Sequence, residues 1–377
     1  MNLSITAVLM NIFWVAAVTK EVAERGPELA TFGVVGVGMD GARTFEAASQ
    51  AAIATPLHPA AGCDTRVSMS MIDRRQFLQA ATMAATAQAA KTNTPDSEHL
   101  VSTLHKSLTP EQKSAVCFGY DDPLRLRVEN NWLITPHKIG EFFKPDQQAM
   151  ILDIFRGLHN PEFVDKTIKH VDQDAGGVKN LSIAIFGEPG RGKSEFVITG
   201  RHCTSRCDGN TTDGVAFAGP IMYGHQAGPA MEKPDHPDNV YWFQAKRANE
   251  VFQALDGKQR EVALVKEAPR PETKNKSVEL QPGDFAGLAV KEMSRDQRAL
   301  VAKVLADLLL PFRKKDTDEA MRAIAKHGGV DSLHMSFYKN LDIGDDGVWD
   351  VWQLESANMV WYFRGHPHVH TYAHIRA

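Results

Sequence analysis

Four histidines lie among the last twelve residues of this 377-residue chain: His366, His368, His370 and His374. A β-strand would place all four on one face, because side chains alternate with a period of two. Adjacent members of such a row are roughly 7 Å apart, whereas His366 and His370 would be roughly 13 Å apart. Two imidazoles at the shorter spacing can share one metal ion. His368 and His370 are therefore candidate ligands of a divalent metal such as zinc, iron or manganese.

The same row has a second interpretation. A polar strand near the end of a chain can present histidines to solvent, and a polar core can hold them by hydrogen bonds. A metal centre also needs ligands from elsewhere in the chain. The tail alone therefore leaves two hypotheses open, a metal site and a row of structural histidines.

A Gly-rich octet from Gly187 to Ser194 matches the phosphate-binding pattern G-x-x-x-x-G-K-[ST]. In a true loop of this kind a helix begins at the Ser or Thr. Here Glu195 to Thr199 follows, a short β-branched segment that is typical of a strand. We therefore expect a hairpin loop and no bound nucleotide, and keep an NTPase as a remote alternative.

A second glycine motif, Gly36, Gly38 and Gly41, fits the dinucleotide fingerprint G-x-G-x-x-G. The remaining strands of a dinucleotide-binding fold would have to come from the residues that lead directly to Arg74 and Arg75. These two arginines indicate a different role for that segment. We expect no dinucleotide here.

Weaker signals do not assign catalytic residues. Cys203 and Cys207 would form a local disulfide if a turn separated them in an oxidising compartment. Trp349, Trp352 and Trp361 are more typical of core packing than of a sugar platform. The sequence has no G-x-S-x-G or H-E-x-x-H pattern.

The predicted helices and strands that would position these residues indicate an α+β fold. Capping boxes at Thr109–Gln112 and Ser294–Gln297 predict two helix starts, and 269–282 is a polar, proline-punctuated loop. Strand character is found at 181–186, 195–199, 214–223, 333–341, 348–354, 359–363 and 368–375. We expect a helical N-terminal layer packed on an antiparallel sheet, C-terminal β-hairpins, and one domain over 95–377.

Residues 69–90 have the parts of a twin-arginine export signal: paired cations, an Ala-rich apolar run and A-x-A-like cleavage sites. The residues that carry the signal are Arg74, Arg75, Phe77 and Leu78. We expect the twin-arginine export machinery to bind the precursor and the mature chain to begin near Lys91, in the periplasm or outside the cell. An Ala-rich amphipathic helix is the alternative.

Residues 1–68 are a doubtful N-terminal extension, because a signal of this kind normally opens a chain. Translation could start at Met1, Met69 or Met71. The first eighteen residues are nearly uncharged, yet they are short for a membrane span and lack a basic flank. We expect no stable membrane span in the mature chain.

Five separated motifs resemble the DUF3500 family of uncharacterised, largely secreted bacterial proteins. The motifs are Leu108 to Gln112, Phe186 to Pro189, Gly200 to His202, Gly219 to Gly224, and His368 to Thr371. The resemblance covers roughly residues 98 to 377. It implies an architecture but no reaction.

The resemblance also bears on the metal hypothesis. In the family an aromatic residue usually follows F-G-x-P-G, and the third motif ends in G-H-H; here Ser194 and Arg201 replace the aromatic and the first histidine. His202 and the H-x-H pair match, and no other histidine does. His202 is therefore the first candidate for a third ligand, with Glu188 and Glu195 as possible additional ligands.

The charge distribution separates the two parts of the chain. Lys plus Arg number 42 and Asp plus Glu 46, giving a formal net charge of -4 that offers no general attraction for nucleic acid. Only 13 of these charged residues lie in 1–90, and 14 of the 15 histidines lie in 91–377.

The leading hypothesis is an exported metal-dependent enzyme of hydrolase type that acts on an unknown small molecule or polymer. The alternative is a non-catalytic ligand-binding module that uses the tryptophans and Arg201 on an open sheet face.

Overall fold

The fold is described for residues 96–226, 239–266, 269, 271–273, 275–338 and 348–377 of a computed structural model. These residues all belong to one compact unit, residues 85–377. The predicted export signal and the motif at Gly36 to Gly41 lie outside the described residues, so both remain predictions.

Nine α-helices and eleven strands occur in the described part of the chain. The helices are α1 Ser97–Ser107, α2 Pro110–Val116, α3 Ile139–Phe142, α4 Pro145–Gly157, α5 Val164–Ala175, α6 Trp242–Ala254, α7 Gly257–Ala263, α8 Arg295–Leu309 and α9 Lys314–Lys326. The strands are β1 Cys117–Phe118, β2 Ser182–Gly187, β3 Ser194–Gly200, β4 Cys203–Cys207, β5 Ile221–His225, β6 Leu264–Val265, β7 Leu288–Ala289, β8 His334–Tyr338, β9 Val351–Ser356, β10 Met359–Arg364 and β11 Val369–Ile375.

The strands form one sheet in the order β1-β2-β3-β4-β5-β11-β10-β9-β8-β6, and β7 pairs with β8. Every pairing is antiparallel except β1 with β2 and β6 with β8. The last three strands are consecutive hairpins, in which Tyr362 pairs with both Gln353 and Tyr372. The α+β class and the C-terminal hairpins are confirmed.

Two apolar clusters cover the two halves of the sheet. Helices α1, α4 and α5 pack on β2, β3 and β4, burying residues such as Leu104 and Ile154 against Ile183. Helices α6, α8 and α9 pack on the other half, where Trp352 and Trp361 are fully buried. These two indoles therefore belong to the core, and the idea that they form an open binding face is wrong.

Local sequence signals fix several helix ends. Thr109 and Gln112 form a capping box at the start of α2, and Ser294 and Gln297 form another at the start of α8.

The predicted strand over 214–223 is shorter than expected: only its end belongs to β5. Phe217 has a φ of 56°, a left-handed conformation that interrupts an extended strand.

The Gly-rich octet is the loop of a β-hairpin, as its flanking sequence predicts. β2 ends at Gly187, and β3 begins at Ser194, with these two residues paired in register. Gly187 has a φ of 72°, and a Cβ there would lie 2.1 Å from the Lys193 carbonyl oxygen. Because Ser194 begins a strand rather than a helix, the octet lacks the helix N-terminus of a phosphate-binding loop.

Cys203 and Cys207 are both free thiols, so the local disulfide is not formed. They are the two ends of β4, an uninterrupted strand with no turn between them. Residues four apart on a strand are separated by roughly 13 Å, whereas disulfide-bonded Cα atoms are rarely more than about 7 Å apart. Burial raises the pKa of Cys203 to about 12, which keeps this thiol protonated.

Glu195 on β3 neutralises two arginines inside the protein. Its Oε1 lies 2.6 Å from Arg206 Nη1, and its Oε2 lies 2.7 Å from Arg125 Nη1. The Glu195 and Arg206 side chains are both fully buried. Arg206 also donates hydrogen bonds to the Arg125, Arg127 and Pro220 carbonyls, so the network fixes the segment between α2 and α3.

We predict that Glu195→Ala lowers the free energy of unfolding by about 3–5 kcal/mol, because it leaves the buried Arg206 charge without its carboxylate. Urea unfolding of the described domain measures the effect. Glu188→Ala is the matched control: Glu188 is exposed on the hairpin loop, and we expect a change within about 0.5 kcal/mol. Equal effects of the two substitutions would contradict the structural role of Glu195.

Candidate metal centre

Three histidines from distant parts of the chain converge on one point. Each of His202, His368 and His370 offers a ring nitrogen, and these atoms all lie within 4.8 Å of one another. The ring centroids form a nearly equilateral triangle, with 4.9 Å from His202 to each of the others and 4.7 Å between His368 and His370. The group could hold a metal ion.

A tight turn presents His202 to this point. The residues between β3 and β4 are Arg201 and His202 alone, and His202 has a φ of 55°. Its backbone N–H donates to the Asn130 carbonyl at 2.6 Å, which holds the turn against the preceding segment. A left-handed non-glycine residue costs conformational energy and is often found at functional sites.

β11 supplies the other two histidines, in a pattern that differs from the predicted row of four. The strand begins at Val369, so His368 lies just before it and His370 lies within it. His374 is turned to another partner: its Nδ1–H donates to the Val278 carbonyl at 2.9 Å. Neither His366 nor His374 belongs to the group.

Two carboxylates orient two of the rings. Asp174 Oδ2 lies 2.9 Å from His202 Nδ1, and Glu272 Oε2 lies 2.6 Å from His370 Nδ1. When Nδ1–H donates to a carboxylate, the Nε2 of a neutral imidazole carries the lone pair. The partner acids therefore set the tautomer in which the Nε2 of both rings carries the lone pair that can bind a cation.

The ionisation states suit this arrangement. Burial alone would raise the pKa of Asp174, yet the hydrogen bonds from His202 and His225 hold that pKa well below its usual range. Burial likewise opposes ionisation of Glu272, but His370, Arg364 and Tyr362 lower its pKa. Glu272 thus faces a neutral ring: burial lowers the pKa of His370 to about 4, despite the hydrogen bond to Glu272.

Asp174 lies at the centre of a second network. It belongs to the last turn of α5, which ends where Gly176 adopts a left-handed conformation. Its Oδ2 also lies 3.3 Å from His225 Nδ1, and its Oδ1 accepts from the Gln226 backbone N–H at 3.3 Å. The His225 ring stacks on His170, with centroids 3.9 Å apart and planes at 11°. Helix α5 and strand β5 thus fix the Asp174 carboxylate.

Glu272 is held from the opposite side of the site. Its Oε1 accepts from the Tyr362 hydroxyl at 3.2 Å and lies 3.2 Å from Arg364 Nε. Tyr362 and Arg364 are on β10, and Arg364 is paired with His370 across the sheet. The loop residue is therefore fixed against the same two strands that position His370.

The structure does not bring the other two proposed ligands into the group. Glu195 is engaged by Arg125 and Arg206, and Glu188 lies exposed on the β2–β3 hairpin loop. The sequence analysis did not identify Asp174 and Glu272, the two acids that contact His202 and His370. A signal existed only for Glu272, because it lies in the polar loop 269–282, and long loops are often functional.

Comparison with known protein families places the chain. A family model described as "Protein of unknown function (DUF3500)" matches residues 90–376. The chain belongs to the DUF3500 family. This DUF3500 member matches no curated protein and no solved structure. Within its described residues, no helix combines the length and apolar character needed to cross a membrane.

The donor set of the DUF3500 chain fits a transition metal. Structural and catalytic zinc sites use neutral imidazoles, and sites with three protein ligands leave a further position open. Histidine ligands characteristically donate their other ring nitrogen to a carboxylate, which fixes the ring and raises its basicity. His202 and His370 both have this outer partner.

We predict that Asp174→Asn and Glu272→Gln each weaken metal binding by about 10–100-fold, because both remove the charged partner that orients a ligand. Competition with a chromophoric chelator measures the dissociation constant. Asp331→Asn is the control, since Asp331 is exposed and its carboxylate pairs with Arg298 at 3.0 Å. Unchanged affinity in both test variants would show that these carboxylates do not support metal ligands.

Proposed function

We propose that His202, His368 and His370 bind one divalent metal ion and that the protein is a metal-dependent enzyme of hydrolase type. The observation that carries the proposal is the pair of carboxylate–histidine contacts. They engage the Nδ1 of His202 and of His370, which leaves the Nε2 lone pair of each ring as the donor for a cation at the group. His368 Nε2 lies 2.9 Å from His370 Nε2 and can donate a proton to one of those lone pairs. A cation can bind all three nitrogens.

The open position favours hydrolysis over a purely structural ion. A divalent ion with three histidine ligands acts as a Lewis acid that activates water. Asp174, Thr167, His170 and Tyr241 line a cavity of about 30 Å³ beside His202. A cavity of this size holds water molecules but not a substrate. The cavity adjoins one proposed ligand, His202, on the side of Asp174, and it could supply water from there.

We predict one equivalent of bound metal in the purified wild-type domain. His202→Ala, His368→Ala and His370→Ala should each remove most of it, because two neutral imidazoles bind a divalent ion far more weakly than three. Elemental analysis after desalting measures the stoichiometry. His327→Ala is the control, since His327 lies exposed at the end of α9. A wild type without stoichiometric metal would refute the proposal.

We also propose that the protein is exported through the twin-arginine pathway and acts in the periplasm or outside the cell. The support is the order of Arg74 and Arg75, the Ala-rich apolar run and the small-residue cleavage sites. The export machinery is thus a partner of the precursor. The substrate is a small molecule or polymer of that compartment.

We predict that the exported protein begins near Lys91. N-terminal sequencing of protein recovered from the periplasm or medium tests this. Replacing both Arg74 and Arg75 by Lys should leave the chain inside the cell, because the pathway requires the paired arginines. A mature protein that still begins at Met1 would contradict both the export route and the cleavage site.

A further inference from the structure

Arg201 is the cation nearest in sequence to the proposed metal ligands. It is the first residue of the two-residue β3–β4 turn, and His202 is the second. Its side chain is exposed, yet it lines the same cavity as His202 and Asp174. The turn that fixes His202 therefore also fixes the backbone of an arginine at the rim of the cavity beside His202.

The Arg201 guanidinium has a neutral partner. Its Nη2 donates to Gln226 Oε1 at 2.5 Å. None of the carboxylates in the described parts of the chain lies within ion-pairing distance of Arg201. Arg364, the other arginine beside the histidines, differs in this respect because its Nε lies 3.2 Å from Glu272. Arg201 thus retains its charge and most of its donors for a ligand.

The charge balance of the filled site favours an anion. Asp174 contacts His202 and Glu272 contacts His370, while Arg364 contacts Glu272 and Arg201 lines the same cavity as Asp174. These four charges cancel, and a divalent ion then adds two positive charges that the described site does not neutralise. Incompletely screened charges at a partly buried site attract ligands of opposite sign.

Resting on the proposed function, we infer that Arg201 binds an anionic oxygen group of the substrate, a carboxylate or a phosphate, beside the metal. The planar guanidinium presents paired donors that match two oxygens of either group. Because the inner cavity holds only water, the anionic group lies at the exposed rim. Arg201 is therefore a specificity-determining residue for negatively charged substrates.

Calorimetric titration of the zinc-loaded domain with inorganic phosphate and with acetate tests this inference. We expect Arg201→Gln to weaken binding of the preferred anion by about tenfold or more, because it removes a charged bidentate donor. Arg201→Lys should reduce the affinity for that anion less than Arg201→Gln does, since it keeps the positive charge. The zinc stoichiometry should stay unchanged in both variants. The anion that binds more tightly, phosphate or acetate, identifies the group that Arg201 recognises.

Two controls separate anion binding from other effects. Arg156→Gln removes an exposed arginine on α4 that pairs with Asp153 at 3.7 Å, and it should bind as wild type does. Gln226→Ala removes the neutral partner of Arg201. It should weaken anion binding less than Arg201→Gln does.

The possible failures are distinguishable. A wild type without zinc overturns the proposed function, and this inference with it. A zinc-loaded wild type whose anion affinity does not change in Arg201→Gln overturns this inference alone. A loss in Gln226→Ala equal to that in Arg201→Gln also overturns it, because Arg201 would then act only by holding the loop.

Discussion

The antiparallel pairing of β5 with β11 is the interaction on which the rest of the molecule depends. It joins the half of the sheet built from β1 to β4 to the half built from β6 to β10, with register running from Ile221↔Ala373 to Val369↔His225. Each half has its own apolar cluster. Because His202 lies in the β3–β4 turn of one half and His370 lies on β11 of the other, this pairing joins the two halves and also brings these candidate ligands together. The site is thus a consequence of how the two halves are joined.

Burying charge at such a junction is costly unless each charge has partners. Asp174 has His202, His225 and the Gln226 N–H, and Glu272 has His370, Tyr362 and Arg364. Each carboxylate also links separate elements: Asp174 links α5 to β5, and Glu272 links its loop to β10 and β11, on which Val278 of the same loop also packs. The networks that prepare the histidines for a cation therefore contribute to the same tertiary arrangement that brings them together.

Much of this fold could be predicted from local sequence patterns. Contacts between residues that are distant in the chain could not. The capping boxes at Thr109 and Ser294 and the hairpin at Gly187 to Ser194 follow from short-range rules that need no partner strand. His202, His368 and His370 were accessible through spacing and family motifs. Asp174 and Glu272 were not, because a lone acid at a helix end or in a loop has no periodic signature. Only part of the predicted row lies on a strand: β11 begins at Val369, so His370 and His374 belong to it, and His366 and His368 precede it.

The composition of the histidine group narrows the choice among zinc, iron and manganese. All three candidate ligands are imidazole nitrogens, and the nearby carboxylates are engaged with Nδ1 atoms rather than directed at the point of convergence. Manganese prefers oxygen donors, whereas imidazole suits zinc and iron. A neutral ligand set also leaves the full charge of the ion available to polarise water or a substrate oxygen, and a tetrahedral site with one open position is the geometry that zinc adopts in hydrolytic enzymes. Because the carboxylates contact Nδ1 atoms, an ion at the group would have only imidazole donors, which would favour zinc or iron over manganese.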